Sequence, residues 1–320
     1  MRKKKLFQKP QIVIPLMIGL FGLLGGAFFI IGTQVNDDAA KEIGKLTVPA
    51  TTPPSSTKFS FAKLGQSALQ TEKVEPFARD ISGSHGLGIF DGVLYASSWD
   101  QRKLYAINLE TGERRTLADE LDGLHDMIVD DEGKLVVPVF GEDRVVKIDR
   151  KSGRVEQLAD GLDGPNGIAR ARDGGYYVSN AKSGTVVKLT PAGEEERVVA
   201  KDLREPAGIL SDNDNILLVA QYGDTQNSVI QIADNGTVST VIRGLANAES
   251  LLRDEERNVI IGHTVGGKAA LSILPRGQAV RPLLSMTLAG PMVGPVTDGR
   301  YLYFESAADG QSTVYRVLLP

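Results

Sequence analysis

The chain has 320 residues, 42% of them apolar, enough to bury a large core with segments to spare. It contains no cysteine, which excludes disulfides, thiolate nucleophiles and zinc–thiolate sites. Arg2, Lys3, Lys4, Lys5 and Lys9 take five of the 36 basic residues, so the remainder sets 31 against 40 acidic ones, a balance that argues against nucleic acid as a partner.

Residues 1–11 form a basic tail. From Ile12 to Gly32 run 21 residues without a charge, long enough to cross a hydrocarbon core of about 30 Å. Positive charge before the span predicts a cytoplasmic N-terminus, with the bulk of the chain in the periplasm or exterior. A cleaved signal peptide is the alternative, but its apolar region is usually only about 7–15 residues. Gly32-Thr33-Gln34-Val35-Asn36-Asp37 is also a poor cleavage site. The expectation over 12–32 is therefore one transmembrane helix, a single-pass signal anchor in the inner or plasma membrane. Residues 33–71 read as a flexible linker, since Thr51-Thr52-Pro53-Pro54-Ser55-Ser56-Thr57 cannot bury enough apolar surface to order itself.

Beyond the linker a short signature returns six times, closing on Ile81, Leu121, Leu162, Leu203, Leu245 and Leu288. The spacings are 40, 41, 41, 42 and 43 residues, the period of a four-stranded propeller blade. In the third unit Gly167-Ile168-Ala169-Arg170-Ala171, Tyr176-Tyr177-Val178-Ser179, Thr185-Val186-Val187-Lys188-Leu189 and Glu196-Arg197-Val198-Val199 are separated by Gly-rich turns. No run reaches the 10–12 residues or so that a helix needs. The last unit ends at its third strand, Ser312 to Leu318, and Lys73-Val74-Glu75-Pro76-Phe77 supplies the missing fourth. The fold class predicted for 72–320 is an all-β, six-bladed β-propeller closed by the N-terminal strand.

Equivalent positions of the blades converge on the propeller axis. Four residues past each signature stand His85, His125, Asn166, Ala207, Glu249 and Met292, at the start of the innermost strands. Ser98, Val139, Asn180, Gln221, His263 and Glu305 end the next strands, at the same sheet edge. All three histidines of the chain fall within these two rings. Imidazole with Asn and Glu oxygens suits a divalent cation, with calcium, zinc and magnesium all open. The expected ligands are His85, His125, Asn166 and Glu249; Glu249 and His263 are the candidate proton acceptors, and Asn180, Gln221 and Glu305 are expected to line the channel. A wet channel that merely solvates polar strand ends accounts for the same residues. Asn235-Gly236-Thr237 fits a turn better than a glycosylation site, and no GxSxG, P-loop or HExxH occurs.

Gly164-Pro165-Asn166-Gly167-Ile168-Ala169, followed by Tyr177-Val178-Ser179-Asn180, resembles an NHL repeat. The whole of 72–320 resembles the superfamily that holds NHL propellers and the regucalcin/gluconolactonase enzymes. That resemblance implies a metal-binding role for Asn166, in a Pro-Asn-Gly turn. It also implies a Pro-Asp-Gly in the next blade, where this chain has Pro206-Ala207-Gly208. Ser84-His85-Gly86-Leu87 and Leu124-His125-Asp126-Met127 are similar to the axial histidine segments of virginiamycin-type and peptidyl-hydroxyglycine lyases. The resemblance implies a small-molecule hydrolase of lactonase or esterase type, or a lyase. The alternative it carries is a non-catalytic NHL scaffold that binds an envelope protein or ligand.

Overall fold

The computed structural model describes Phe61, Leu69 and residues 73–319, apart from 84, 213–215, 290–292 and 309–310. The basic tail, the apolar segment at 12–32, most of the linker and Met292 lie outside the described residues. Among the described residues no helix is long and apolar enough to cross a membrane.

Short apolar runs become strands because turn residues interrupt each one before a helix could propagate. In the third unit the strand Pro165–Arg170 turns through Asp173-Gly174-Gly175, where Gly174 takes φ +88° and the Asp173 carboxylate accepts the Gly175 amide at 3.0 Å. Tyr176–Asn180, Thr185–Leu189 and Glu195–Ala200 then follow as an antiparallel meander. Six such four-stranded sheets make up the fold. In the sixth, Val293–Thr297, Tyr301–Ala308 and Gln311–Leu318 are joined by Val74–Ala78, which pairs antiparallel with the last strand. Val74 stands opposite Val317, and Pro76 opposite Tyr315.

The blades pack face to face, so both faces of each middle strand are buried. Leu135–Val139 is buried at all five positions. Its alternate residues serve different cores: Leu135, Val137 and Val139 pack toward the first blade, and Val136 toward the third. Six apolar clusters result, one between each pair of neighbours around the ring, including the sixth blade against the first. Phe61 and Leu69, which fall in the stretch expected to be linker, are 0% and 4% exposed and pack with Ile260, Leu302 and Phe304. The chain is therefore anchored to the fifth and sixth blades well before residue 72.

At the axis the inner strands nearly touch. A Cβ built on Gly86, Gly167 or Gly208 would lie 2.4, 2.3 or 2.6 Å from the carbonyl oxygen of His125, Ala207 or Glu249 in the next blade. Glycine at these places sets how closely the blades converge, and so how closely the side chains at their mouths can meet.

Candidate functional site

Ladder irregularities aim the mouth residues. The register of the inner strand shifts between Pro165 and Ile168, between Pro206 and Ile209, and between Ala246 and Ser250. Asn166, Ala207 and Glu249 lie within those bulges, which turn a side chain away from the flank it would otherwise occupy. His85 and His125 precede the first two inner strands, Leu87–Phe90 and Ile128–Val129.

Three blades meet here. His85 Nδ1 donates to Glu249 Oε1 at 2.9 Å, joining residues 164 positions apart. The rings of His85 and His125 lie 4.7 Å apart between centroids. One ligand atom from each of His85, His125 and Glu249 can be chosen so that all lie within 4.8 Å of one another. Glu249 is 7% exposed, and its Oε2 is buried with no hydrogen-bond partner.

The electrostatics follow from burial and pairing. Burial works to lower the pKa of His85, but the hydrogen bond and charge of Glu249, helped by Glu305 and Asp100, leave it raised. Burial, with the neighbouring His85 charge, holds His125 well below the ordinary histidine value and hence neutral. His125 is thus held in the neutral form that can coordinate a metal, while His85 is held by the Glu249 carboxylate.

These residues open into a cavity of about 680 Å³. Trp99 and Phe140 wall one side: Trp99 stands edge-on to His125 at 5.1 Å, and Phe140 lies 5.5 Å from the same ring. Asn166 and Ala207 line the cavity too, and Tyr222 and Glu205 form the side near Glu249. At the rim Lys182 lies over the Phe140 ring and pairs with Asp143 at 2.7 Å.

The second ring of expected residues does not line this cavity. Asn180 stands opposite Pro165, Gln221 opposite Pro206 and Glu305 opposite Val293, each beside a shift in the ladder register, and all three are buried. Gln221 is consumed by Asn227 O and the Arg204 amide, and Asn180 reaches Thr185. His263 is likewise misplaced as a proton acceptor. Its Nε2 meets Ser272 Oγ at 2.8 Å and its Nδ1 meets Thr264 O at 3.1 Å, all buried within its own blade. The cavity is lined instead by residues one step further on: Trp99 after Ser98, Phe140 after Val139, Ala181 after Asn180 and Tyr222 after Gln221. A slip of one residue exchanges the two faces of a strand. Aromatic residues recurring at that next position in three blades were the available signal.

Asp126 was also missed. It occupies the step where the first, third and fourth blades carry Gly86, Gly167 and Gly208. Burial pushes its carboxyl up to about 7, against backbone hydrogen bonds from Met127 and Ile168.

No family model and no curated protein matches this sequence. Solved structures do match in shape. A gluconolactonase from Xanthomonas campestris superposes with TM-score 0.64 at 17% identity, covering 77% of this chain and 89% of its own. Virginiamycin B lyase from Staphylococcus aureus gives 0.59 at 12%, covering 78% and 99%. The chain shares their six-bladed fold. A PQQ-bound aldose sugar dehydrogenase from Streptomyces coelicolor also matches, with TM-score 0.59 at 16% identity over 77% and 97%. The fold therefore hosts several chemistries, and the site has to choose among them.

Proposed function

We propose that this chain is a metal-assisted hydrolase or lyase acting on a small molecule in the cavity at the propeller mouth. The observation that carries the reading is the meeting of His85, His125 and Glu249, from three blades, with one ligand atom of each close to the other two. Two ligands of one ion bonded at about 2.0–2.3 Å stand roughly 3–4.5 Å apart, so the 4.8 Å envelope needs only small side-chain rotations. Two imidazoles with one carboxylate suit zinc or a similar borderline ion better than calcium or magnesium, which prefer oxygen donors. When bound, the ion would act as a Lewis acid toward a carbonyl or hydroxyl oxygen.

The chain's own groups divide the remaining work. Trp99 and Phe140 cover the apolar part of the substrate. Glu249 Oε2 takes the proton released from water or substrate, because no other group competes for that oxygen. Tyr222, whose pKa is raised by burial and then by the nearby Glu249 charge, is placed to orient the polar end. Ala207 stands where the resembling lactonases carry an aspartate, so the base comes from the fifth blade here. The shared fold with a gluconolactonase and a virginiamycin B lyase supports lactone or ester opening and elimination as the two reaction types. Residues 12–32 anchor the propeller to the membrane, with the cavity in the periplasm or exterior.

Elemental analysis of the purified full-length chain, before and after chelation, tests the metal. Stoichiometric metal in the wild type and its loss in His85→Ala and His125→Ala are expected, together with turnover in a panel of lactones, esters and lyase substrates. A chain that is metal-free and inactive across the panel would overturn the proposal in favour of an NHL-type scaffold.

A further inference from the structure

The face away from the histidines contains one arrangement twice, and the two copies differ. Between the second and third blades Arg170 lies over the Tyr176 ring, 4.8 Å from its centroid, and pairs with Asp131 of the preceding blade. Lys147 stands 5.9 Å from the same centroid and pairs with Asp130 at 2.9 Å. Tyr176 is 1% exposed. This junction is filled, and its cations are neutralised.

Strand register locates the matching positions between the fourth and fifth blades. Arg253 stands opposite Val259 as Arg170 stands opposite Tyr176. Gln231 stands opposite Leu218 as Lys147 stands opposite Val136. In sequence, Asn213 takes the place of Asp131. Valine in place of tyrosine removes the ring that fills the junction. A cavity of about 580 Å³ lies there, lined by Arg253, Arg257, Arg276 and apolar residues that include Val259, Leu274 and Pro275.

Asp212 is the sole acid of the lining, and Arg257 already holds it at 2.9 Å. Arg253 donates to the Ser211 carbonyl at 3.0 Å, and Arg276 forms no ion pair among the described residues. Burial lowers the pKa of Arg253 despite the Asp212 charge nearby. A half-buried guanidinium without its own carboxylate is costly, and an incoming anion relieves that cost.

We propose that this cavity is a second ligand site, separate from the mouth, for an oxyanion carried on an apolar body. Arg253 and Arg276 grip the carboxylate or phosphate head, whose oxygens match the guanidinium fork. Val259, Leu274 and Pro275 cover the apolar part.

Calorimetric titration of the full-length chain with hexanoate, hexyl phosphate and hexanol tests the site. At least one anion is expected to saturate with Kd below about 1 mM, with hexanol at least about tenfold weaker. Arg253→Gln and Arg276→Gln are each expected to weaken the anion about fivefold or more. Arg276 is exposed, so its variant keeps the test valid should the Arg253 variant fail to fold. Val259→Tyr, which rebuilds the filled junction, is expected to abolish anion binding and leave metal loading at the mouth unchanged. No saturable binding of either anion, equal binding of hexanol, an unaffected Arg276→Gln or a binding-competent Val259→Tyr would each overturn the proposal.

Discussion

Replacing Gly208 with alanine tests the geometry that delivers Glu249 to the axis. A Cβ at this position would lie 2.6 Å from the Glu249 carbonyl oxygen and 3.0 Å from the Ser250 Cα. Gly208 is not among the glycines with positive φ, so alanine can adopt its backbone conformation and the cost is steric. Real Cβ atoms essentially never approach closer than 3.0 Å, so the Glu249 carbonyl has to retreat by about 0.4 Å and take its bulge with it. Overpacking of this kind costs about 1–3 kcal/mol. At roughly 2–4 °C for each kcal/mol in a domain of this size, Tm should fall by roughly 2–12 °C. Thermal unfolding followed by circular dichroism reads the stability, and elemental analysis reads metal retention. Gly167→Ala is the companion variant. Its clash with Ala207 O is closer, at 2.3 Å, but it presses on a blade that offers no ligand, so it should lower Tm at least as much and metal content less. Melting within 1 °C or so of wild type for both variants would refute the close approach of the blades.

In Glu249→Gln the carboxylate that raises His85 is gone and burial dominates, so the His85 titration followed by NMR should move to lower pH. In the wild type that pairing stabilises the charged imidazole, so its contribution is complete below about 6.5 and is lost as pH rises through the raised folded value. Urea unfolding should show a larger gap between wild type and Glu249→Gln at pH 5.5 than at pH 8.5. Asp126 behaves in the opposite sense: with its carboxyl pushed up to about 7, the folded state keeps a proton that the unfolded chain releases. Its contribution therefore declines as pH rises from about 4 to 7, and Asp126→Asn should flatten that part of the urea-midpoint profile. Phe61→Ala should cost about 3–5 kcal/mol, because the ring is fully buried between the fifth and sixth blades. No loss of stability there would show that the segment before residue 73 does not belong to the folded domain.

Much of the fold was legible because a propeller repeats itself. Each blade must bury both sheet faces against its neighbours, so every unit carries the same four apolar runs and the same turns, and a period near 41 residues gives the blade count. His85, His125 and Glu249 were legible for the same reason: equivalent positions of a ring converge. Sequence counting did not reach the aromatic lining of the cavity, which stands one residue past the second ring. Tyr222, Trp99 and Phe140 line the cavity, whereas Gln221, Ser98 and Val139 are buried within or between the blades. Phe61 was hidden by its neighbourhood, since composition describes a stretch and not the one aromatic residue in it that finds a pocket.

What the chain by itself determined, then, is the number of blades, their strand order and the convergence of two histidines and a glutamate on one axis. Local propensity and regular spacing suffice for that, because both are written along the backbone. Only the tertiary structure decided which way each side chain points. That choice depends on bulges at Asn166, Ala207 and Glu249, on the glycines that let one inner strand press against the next, and on the exchange of Tyr176 for Val259 that empties one junction. The bulges lie within blades and the other contacts between them, and neither follows a period that a sequence could display.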